Sequence, residues 1–271
     1  MNDGLLSLRF RNDRYGRTRL VERRQRYPLT TTTVLPLESE SGALIYAQNV
    51  AGSVFGGDRL RTDLYLENGT SMCLSTPAAT RVQGEGLASQ KTYIELSPGA
   101  YIESVPDMVI PHAKAVYRQE TYIDLSEGAE AILCESIAPG RVARGEEYAY
   151  DTVSLRLEAS FKRRPVLVDA STFRPSEANP ALTGALGGVG YVGTLVVLSE
   201  KTDNEQLARK LSNRLGELSS VYGGAAPLAS GYGAIARFLT DSSPVLRNAM
   251  QNVWSVARQH VRGRPAPTLR K

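Results

Sequence analysis

Histidine and cysteine are scarce in this chain, with two of each among 271 residues. His112 and His260 lie far apart, as do Cys73 and Cys134. That spacing excludes a disulfide framework and the close Cys/His sets of a tight transition-metal site. It also leaves little for nucleophilic catalysis. His112 could serve a Ser-His-Asp arrangement, but no G-x-S-x-G elbow accompanies it. His260, in the last turn of an expected helix, reads as a partner for the helix C-terminus. No apolar run approaches the roughly 18 residues that cross a bilayer. Residues 1–5 carry no basic then apolar leader, so a reducing cytoplasm is the expected compartment. There is no G-x-x-x-x-G-K-S/T loop for GTP or ATP. Gly188 to Gly193 spells G-x-G-x-x-G, but a strand is expected after it where phosphate binding needs a helix N-terminus.

What is present describes a soluble globular protein: 42% apolar and 22% charged residues, enough chain for one large domain or two unequal ones. The net charge of +4 is mild but uneven. Arg9, Arg11, Arg14, Arg17, Arg19, Arg23, Arg24 and Arg26 crowd the start, and Arg258, Arg262, Arg264, Arg270 and Lys271 crowd the end. No nucleic-acid motif and little aromatic interleaving accompany them, so a solvated strand face or an acidic protein partner fits better than nucleic acid.

Residues 5–10, 18–26 and 30–37 read as extended. A repeat follows. Asp63 to Thr70, Tyr93 to Ala100 and Tyr122 to Ala129 are versions of one unit: an alternating strand, a polar turn, a glycine and a small residue. Gly69, Gly99 and Gly128 are spaced by 30 and 29 residues, the period of stacked supersecondary units. Helix signals are absent before about residue 200, which predicts a mostly β solenoid-like or sandwich array over residues 1–180. A mixed α/β region is expected over 181–264, and a flexible tail over 265–271. In that last third Tyr191 to Leu198 reads as a strand. Thr202 to Glu205 is a capping box opening a helix striped by Leu207, Leu211, Leu215 and Leu218. Gly223-Gly224 reads as a break and Ala234 to Leu239 as a strand. Ser243-Pro244 starts a second amphipathic helix that ends at Gly263, with Val245, Ala249, Met250, Val253, Trp254 and Ala257 on its apolar face. Trp254 reads as core or as an interface anchor.

Three carboxylates interrupt apolar strands. Period-two counting puts Glu135 on the face of Leu133 and Ile137, Asp169 on that of Leu167 and Ser171, and Glu103 between Tyr101 and Val105. A buried carboxylate is costly unless paired, hydrogen-bonded or metal-bound. Arg59, Arg81, Arg141 and Arg144 are candidate partners; the alternative is an acid-lined passage with weak oxygen ligands for a divalent cation.

One stretch carries a resemblance. Asn49 to Leu60, with Gly56-Gly57-Asp58-Arg59, resembles the Asn-Pro-Ser-Gly-Gly-x-x-Gly-Gly-Asp-x-Leu signature of the urease accessory protein D family (UreD, also called UreH). Further blocks follow in the family's order: Ser75 to Val82, holding Thr80 and Arg81; Ile102 to Asp107; Glu135 with Gly140-Arg141 and Gly145-Glu146; then Arg237-Phe238-Leu239, Val253-Trp254 and Arg258. The similarity runs from about Tyr27 to Gly263. Departures fall at Val50 to Ser53, Gln83-Gly84 and Ser104, where the family has Pro-Ser-Gly-Gly, Tyr-Arg and Trp.

The resemblance implies a superhelical, β-helix-like stack of strands with helices late in the chain. It implies a non-catalytic scaffold that holds no tight cofactor and relays Ni²⁺ to apo-urease. The F accessory protein and, through it, the GTP-hydrolysing G protein are the further partners, with a homodimer within the complex compatible with that set. By matched position Asp58, Thr80, Glu135 and Asp169 line the route, Glu146 is structural or lining, and Glu103 joins from its apolar strand. Gly56, Gly57, Arg59, Arg81, Gly140, Arg141 and Gly145 are motif positions. Trp254, Arg258 and Arg262, on the last helix, are the expected partner contacts. Two other readings use the same residues: a solenoid hydrolase or lyase with paired carboxylates on an acidic carbohydrate, and an ion-independent interaction module.

Overall fold

The repeat seen in the sequence sets the architecture. In the computed structural model, which describes residues 1–37, 41–178, 180, 186 and 189–269, strands Arg59–Leu66, Leu87–Leu96 and Val116–Leu125 run parallel and in register. Leu64, Ile94 and Ile123 form one cross-strand row, and Leu66, Leu96 and Leu125 another. Each strand then turns through its glycine, at φ of 67° for Gly69, 70° for Gly99 and 67° for Gly128. These turns stack: the Gly69 amide donates to the Pro98 carbonyl and the Gly99 amide to that of Glu127. A side chain would strain the left-handed backbone three times over, so glycine recurs. Beyond the turns, strands Ser71–Ser75, Tyr101–Val105 and Glu130–Ile137 pair parallel in a second sheet.

The first sheet has seven strands, ordered Arg164–Phe173, Thr152–Phe161, Val116–Leu125, Leu87–Leu96, Arg59–Leu66, Asp3–Asn12 and Thr18–Arg26. Its last strand is an edge whose Arg19, Arg23, Arg24 and Arg26 are exposed, a charged edge that resists pairing with another chain. The main path of the second sheet runs Val221–Pro227, Gly233–Thr240, Tyr191–Leu198, Glu130–Ile137, Tyr101–Val105, Ser71–Ser75, Gly42–Asn49 and Leu29–Thr31. The protein is thus mostly β with two helices in its last third, as predicted, and the sheets do not close into a barrel.

Two cores result. Between the sheets, Leu6, Leu8, Phe10, Leu64, Ile102, Leu133 and Val196 pack together. On the outer face of the second sheet, Tyr46, Cys73, Tyr101, Cys134, Leu195 and Val197 meet the helices. The second sheet is therefore covered on both faces and its strands are apolar at successive positions.

Helix α1 (Asn204–Gly216) buries Leu207, Ala208, Leu211 and Leu215. Its N-cap is Asp203, whose side chain accepts from the Gln206 amide; the expected capping box is displaced by one residue because the carboxylate reaches that amide directly. Helix α2 (Ser243–Arg262) opens on Pro244 and ends at Gly263, as predicted. Its buried face includes Leu246, which the sequence reading omits, whereas Val245 is only partly covered. Gly223-Gly224 is not a break: both lie inside strand Val221–Pro227. A Cβ on Gly223 would sit 2.4 Å from the Arg237 carbonyl, so its strand approaches closer than a side chain permits. Where a loose tail is expected, the described residues 265–269 lie along α2. The Pro265 carbonyl accepts from Arg258, the Ala266 amide donates to Ser255, and the Pro267 carbonyl accepts from Gln251. No helix among the described residues is long and apolar enough to cross a membrane.

Candidate functional site

A row of residues crosses the inner face of the second sheet. Glu135 pairs with Thr194 on the neighbouring strand, and Thr194 with Arg237 on the next. All three share the alternation that turns Leu133 and Val196 into the inter-sheet core. Opposite them, from the edge strand of the first sheet, comes Asp169, which pairs in register with Leu157. Glu135, Asp169, Thr194 and Arg237 line one cavity of about 350 Å³, closed by Leu155, Phe173, Val192 and Phe238. Asp169 Oδ1 accepts from Arg237 Nη2 in a salt bridge. Glu135 Oε1 accepts from Gln119 Nε2 at 2.9 Å. Two sequence-predicted carboxylates, 34 residues apart along the chain, thus meet in space, each with one partner among the described residues.

Burial pushes the Glu135 carboxyl up from its ordinary 4.5 to about 7, with the Gln119 hydrogen bond opposing, Asp169 adding and Arg237 subtracting. A raised carboxyl favours the folded state most below 4.5, and that contribution is lost as the pH rises through about 7. Glu135→Gln should therefore match the parent at pH 4.5 and be more stable at pH 8, by at most about 3 kcal/mol. Urea unfolding at both pH values checks this; equal stability differences at the two would remove the burial argument.

The other expected lining residues lie elsewhere. Asp58 is fully buried and ties its own turn to Asn2 near the start of the chain. Its Oδ1 accepts from the Asn2 backbone and side-chain amides at 2.7 and 3.0 Å, and its Oδ2 from the Phe55 amide at 3.0 Å. Gly56 and Gly57 bring that turn against a neighbouring loop, donating to the Gln83 and Leu87 carbonyls. Arg59 follows as an exposed strand residue beside Asp3 and Ser89. Thr80 opens the short strand Thr80–Gln83 and pairs with Val109, while Arg81 pairs with Ile110 and is exposed.

Glu146 belongs to a third location. It forms a two-pronged salt bridge with Arg141, the Nε contact at 2.7 Å, and also accepts from the Ala113 amide. Arg141 and Glu146 face each other across the two-stranded pair Gly140–Arg141 and Glu146–Glu147, and Gly145 caps the intervening single turn. Gly140 has no room for a side chain, since a Cβ would lie 1.9 Å from the Glu146 carbonyl. Burial and the nearby Arg141 hold His112 below its ordinary range. Burial and Lys210 do the same to His260, which lies in the last turn of α2 where it was expected.

Glu103 sits on the other face of the second sheet, fully buried against α2. Tyr101 and Arg258 donate to its Oε1, both at 2.6 Å, and Trp254 Nε1 to its Oε2 at 2.8 Å. These contacts pin the last helix to the sheet and leave Glu103 outside the cavity that holds Glu135. They also correct two expected partner contacts: Trp254 is inaccessible and Arg258 is 5% exposed. Arg262 keeps an exposed guanidinium, stacked over the Tyr101 ring at 4.5 Å.

The six expected route residues are therefore divided among separate places, with only Glu135 and Asp169 together. Among the described residues no three His, Cys, Asp or Glu side chains converge as a metal site. The proposed arginine partners also differ from those found: Arg237 serves Asp169 and Arg258 serves Glu103, and of the four proposed Arg141 is the one that pairs a site carboxylate, Glu146, among the described residues. Arg237, Thr194 and Gln119 were missed. Arg237 had a signal, an arginine alternating with Ile235 and Leu239 in an apolar strand; Thr194 and Gln119 had none.

Comparison with known proteins agrees over the whole length. The family model described as "UreD urease accessory protein" matches residues 2–271. A protein of Actinomyces naeslundii named urease accessory protein UreD is 32% identical over 272 residues, covering 99% of this chain and 98% of its own. One of the same name from Mycolicibacterium gilvum is 31% identical, covering 95% and 94%. Another from Haloarcula marismortui is 29% identical, covering 99% and 90%.

Proposed function

Because this chain belongs to the UreD family of urease accessory proteins, we propose that it is a urease-maturation scaffold that passes Ni²⁺, as cargo, towards apo-urease. The observation that carries this reading is the cavity between the sheets, where Glu135 and Asp169 arrive from opposite sides. Among the described residues, carboxylates with one partner each and no converging histidine or cysteine favour short residence of a divalent ion over tight capture. A conduit needs that, because an ion bound too well is not delivered. Asp58, Thr80, Glu103 and Glu146 shape the scaffold around this cavity through the turns, strands and helix contacts described above.

The scaffold binds apo-urease and the F accessory protein, and through F the G protein. We place the F contact on the outer side of α2 and residues 265–269, where Arg262 remains exposed. Cys73 and Cys134 are buried thiols, in keeping with a cytoplasmic site of action. The carbohydrate-cleaving reading loses ground because the Arg237 guanidinium neutralises Asp169, the carboxylate that would serve as base beside Glu135.

The test is the nickel content and activity of the cognate urease produced with this chain, without it, and with Glu135→Ala or Asp169→Ala. Without the chain, urease should stay nickel-poor. Each variant should lower nickel loading severalfold while still co-purifying with its partners. Full loading without the chain would overturn the maturation role; loss of assembly in the variants would overturn the conduit.

A further inference from the structure

We infer that Arg237 is a latch on the cavity: its guanidinium occupies the cation position at Asp169, and a divalent ion must displace it to pass. The inference rests on the reading of the cavity as an ion route and adds to it the residue that controls entry.

Three observations support it. The first is placement. Arg237 follows Glu135 and Thr194 in one cross-strand row, so its guanidinium lies in the same cavity as both carboxylates. A positive charge there opposes any cation that would share the space, and it is the one cationic side chain lining that cavity among the described residues. The second is the strength of the hold. Asp169 is 17% exposed and Arg237 51% exposed, so the pair lies at the mouth of the cavity, partly in water. Ion pairs in such a setting are weak and open readily. The third is room to move. The residue opposite Arg237 on the next strand is Gly224, and a Cβ built there would meet none of the described residues within 4 Å. The guanidinium has open space on that side into which it can swing, while its backbone stays fixed between two strands.

Together these make a charge-selective gate. A monovalent ion offers Asp169 no more charge than the guanidinium it would replace. A divalent ion offers twice as much and binds carboxylate oxygens directly, so it can exchange with the arginine. Once the arginine swings away, Glu135 and Asp169 are both available to the ion. After the ion has moved on, Arg237 closes on Asp169 again.

The test is Ni²⁺ titration by calorimetry of the purified full chain, as the parent and as Arg237→Met, Arg237→Lys, Asp169→Asn and Glu135→Gln. Arg237→Met should bind Ni²⁺ about tenfold more tightly than the parent, because it removes the competing charge and keeps the apolar stem. Arg237→Lys should bind like the parent, and the Arg237→Met/Asp169→Asn double variant should lose the gain. If Arg237→Met binds no more tightly while Glu135→Gln and Asp169→Asn weaken binding, the latch is wrong and the ion route stands. If none of the carboxylate variants alters Ni²⁺ binding, the ion route fails and the latch with it.

Discussion

Glu103→Ala is expected to lower the unfolding free energy by about 3–5 kcal/mol, one of the two largest losses we foresee from a single substitution. The carboxylate is fully buried, with all three of its donors in the same core. Its removal takes from Arg258 the buried carboxylate that its Nε donates to, and from Trp254 Nε1 and the Tyr101 hydroxyl the same acceptor. Losing one partner of a buried pair costs far more than replacing both, because the groups left behind keep their desolvation cost without the bond that offset it. The double variant Glu103→Leu/Arg258→Met should therefore recover much of what Glu103→Ala loses. Urea unfolding of the single and double variants forms the necessary cycle. A loss below about 1 kcal/mol for Glu103→Ala would mean that α2 is held by its apolar face alone.

Gly56→Ala should be comparably severe, for a steric reason. A Cβ there would lie 1.8 Å from the Glu85 carbonyl oxygen and 2.6 Å from its carbon. Both contacts are with backbone, which cannot rotate aside as a side chain does, so the two loops must part. Parting them breaks the bonds from Gly56 to Gln83 and from Gly57 to Leu87 and loosens the turn that Asp58 closes. We expect a loss of at least about 3 kcal/mol, at the upper end for overpacking. Gly52, a few residues earlier, is the internal control. Its φ is 78° but nothing lies within 4 Å of where a Cβ would stand, so Gly52→Ala should cost only the left-handed backbone penalty of about 1–2 kcal/mol. Denaturant midpoints for the two variants separate the effects. Equal midpoints would show that the close approach at Gly56 relaxes at little cost.

These predictions bear on how the glycine and acid motifs read in the sequence. Gly56-Gly57-Asp58 pointed correctly to a sharp turn with a carboxylate, because the glycine pair lies between two strand-like runs. The role assigned to Asp58 did not follow from that. Its oxygens face the amides of Asn2 and Phe55, and the more distant of these partners lies 56 residues away, in no recognisable motif. Gly223-Gly224 failed for a related reason. Glycine marks close approach as well as chain reversal, and only the neighbouring strand with Arg237 and Phe238 decides between them.

By itself, the sequence determined the local and the periodic. The recurring strand, turn and glycine fixed the in-register stacking of Leu87–Leu96 and Val116–Leu125, because identical units bury identical edges on one another. The apolar stripes fixed both helices to within a residue or two, and alternation fixed which neighbours share a face with Glu103, Glu135 and Asp169. What alternation cannot supply is the identity of that face. In a sheet covered on both sides, successive residues are all apolar, so Glu103 towards α2 and Glu135 towards the other sheet look alike in the chain. The register of the two strands, which pairs Glu103 with Ile132, puts them on opposite sides. The stacking of the two sheets set Asp169 across from Glu135 and gave it Arg237, a partner 68 residues distant, because contacts between sheets depend on where strands come to lie and not on their separation along the chain.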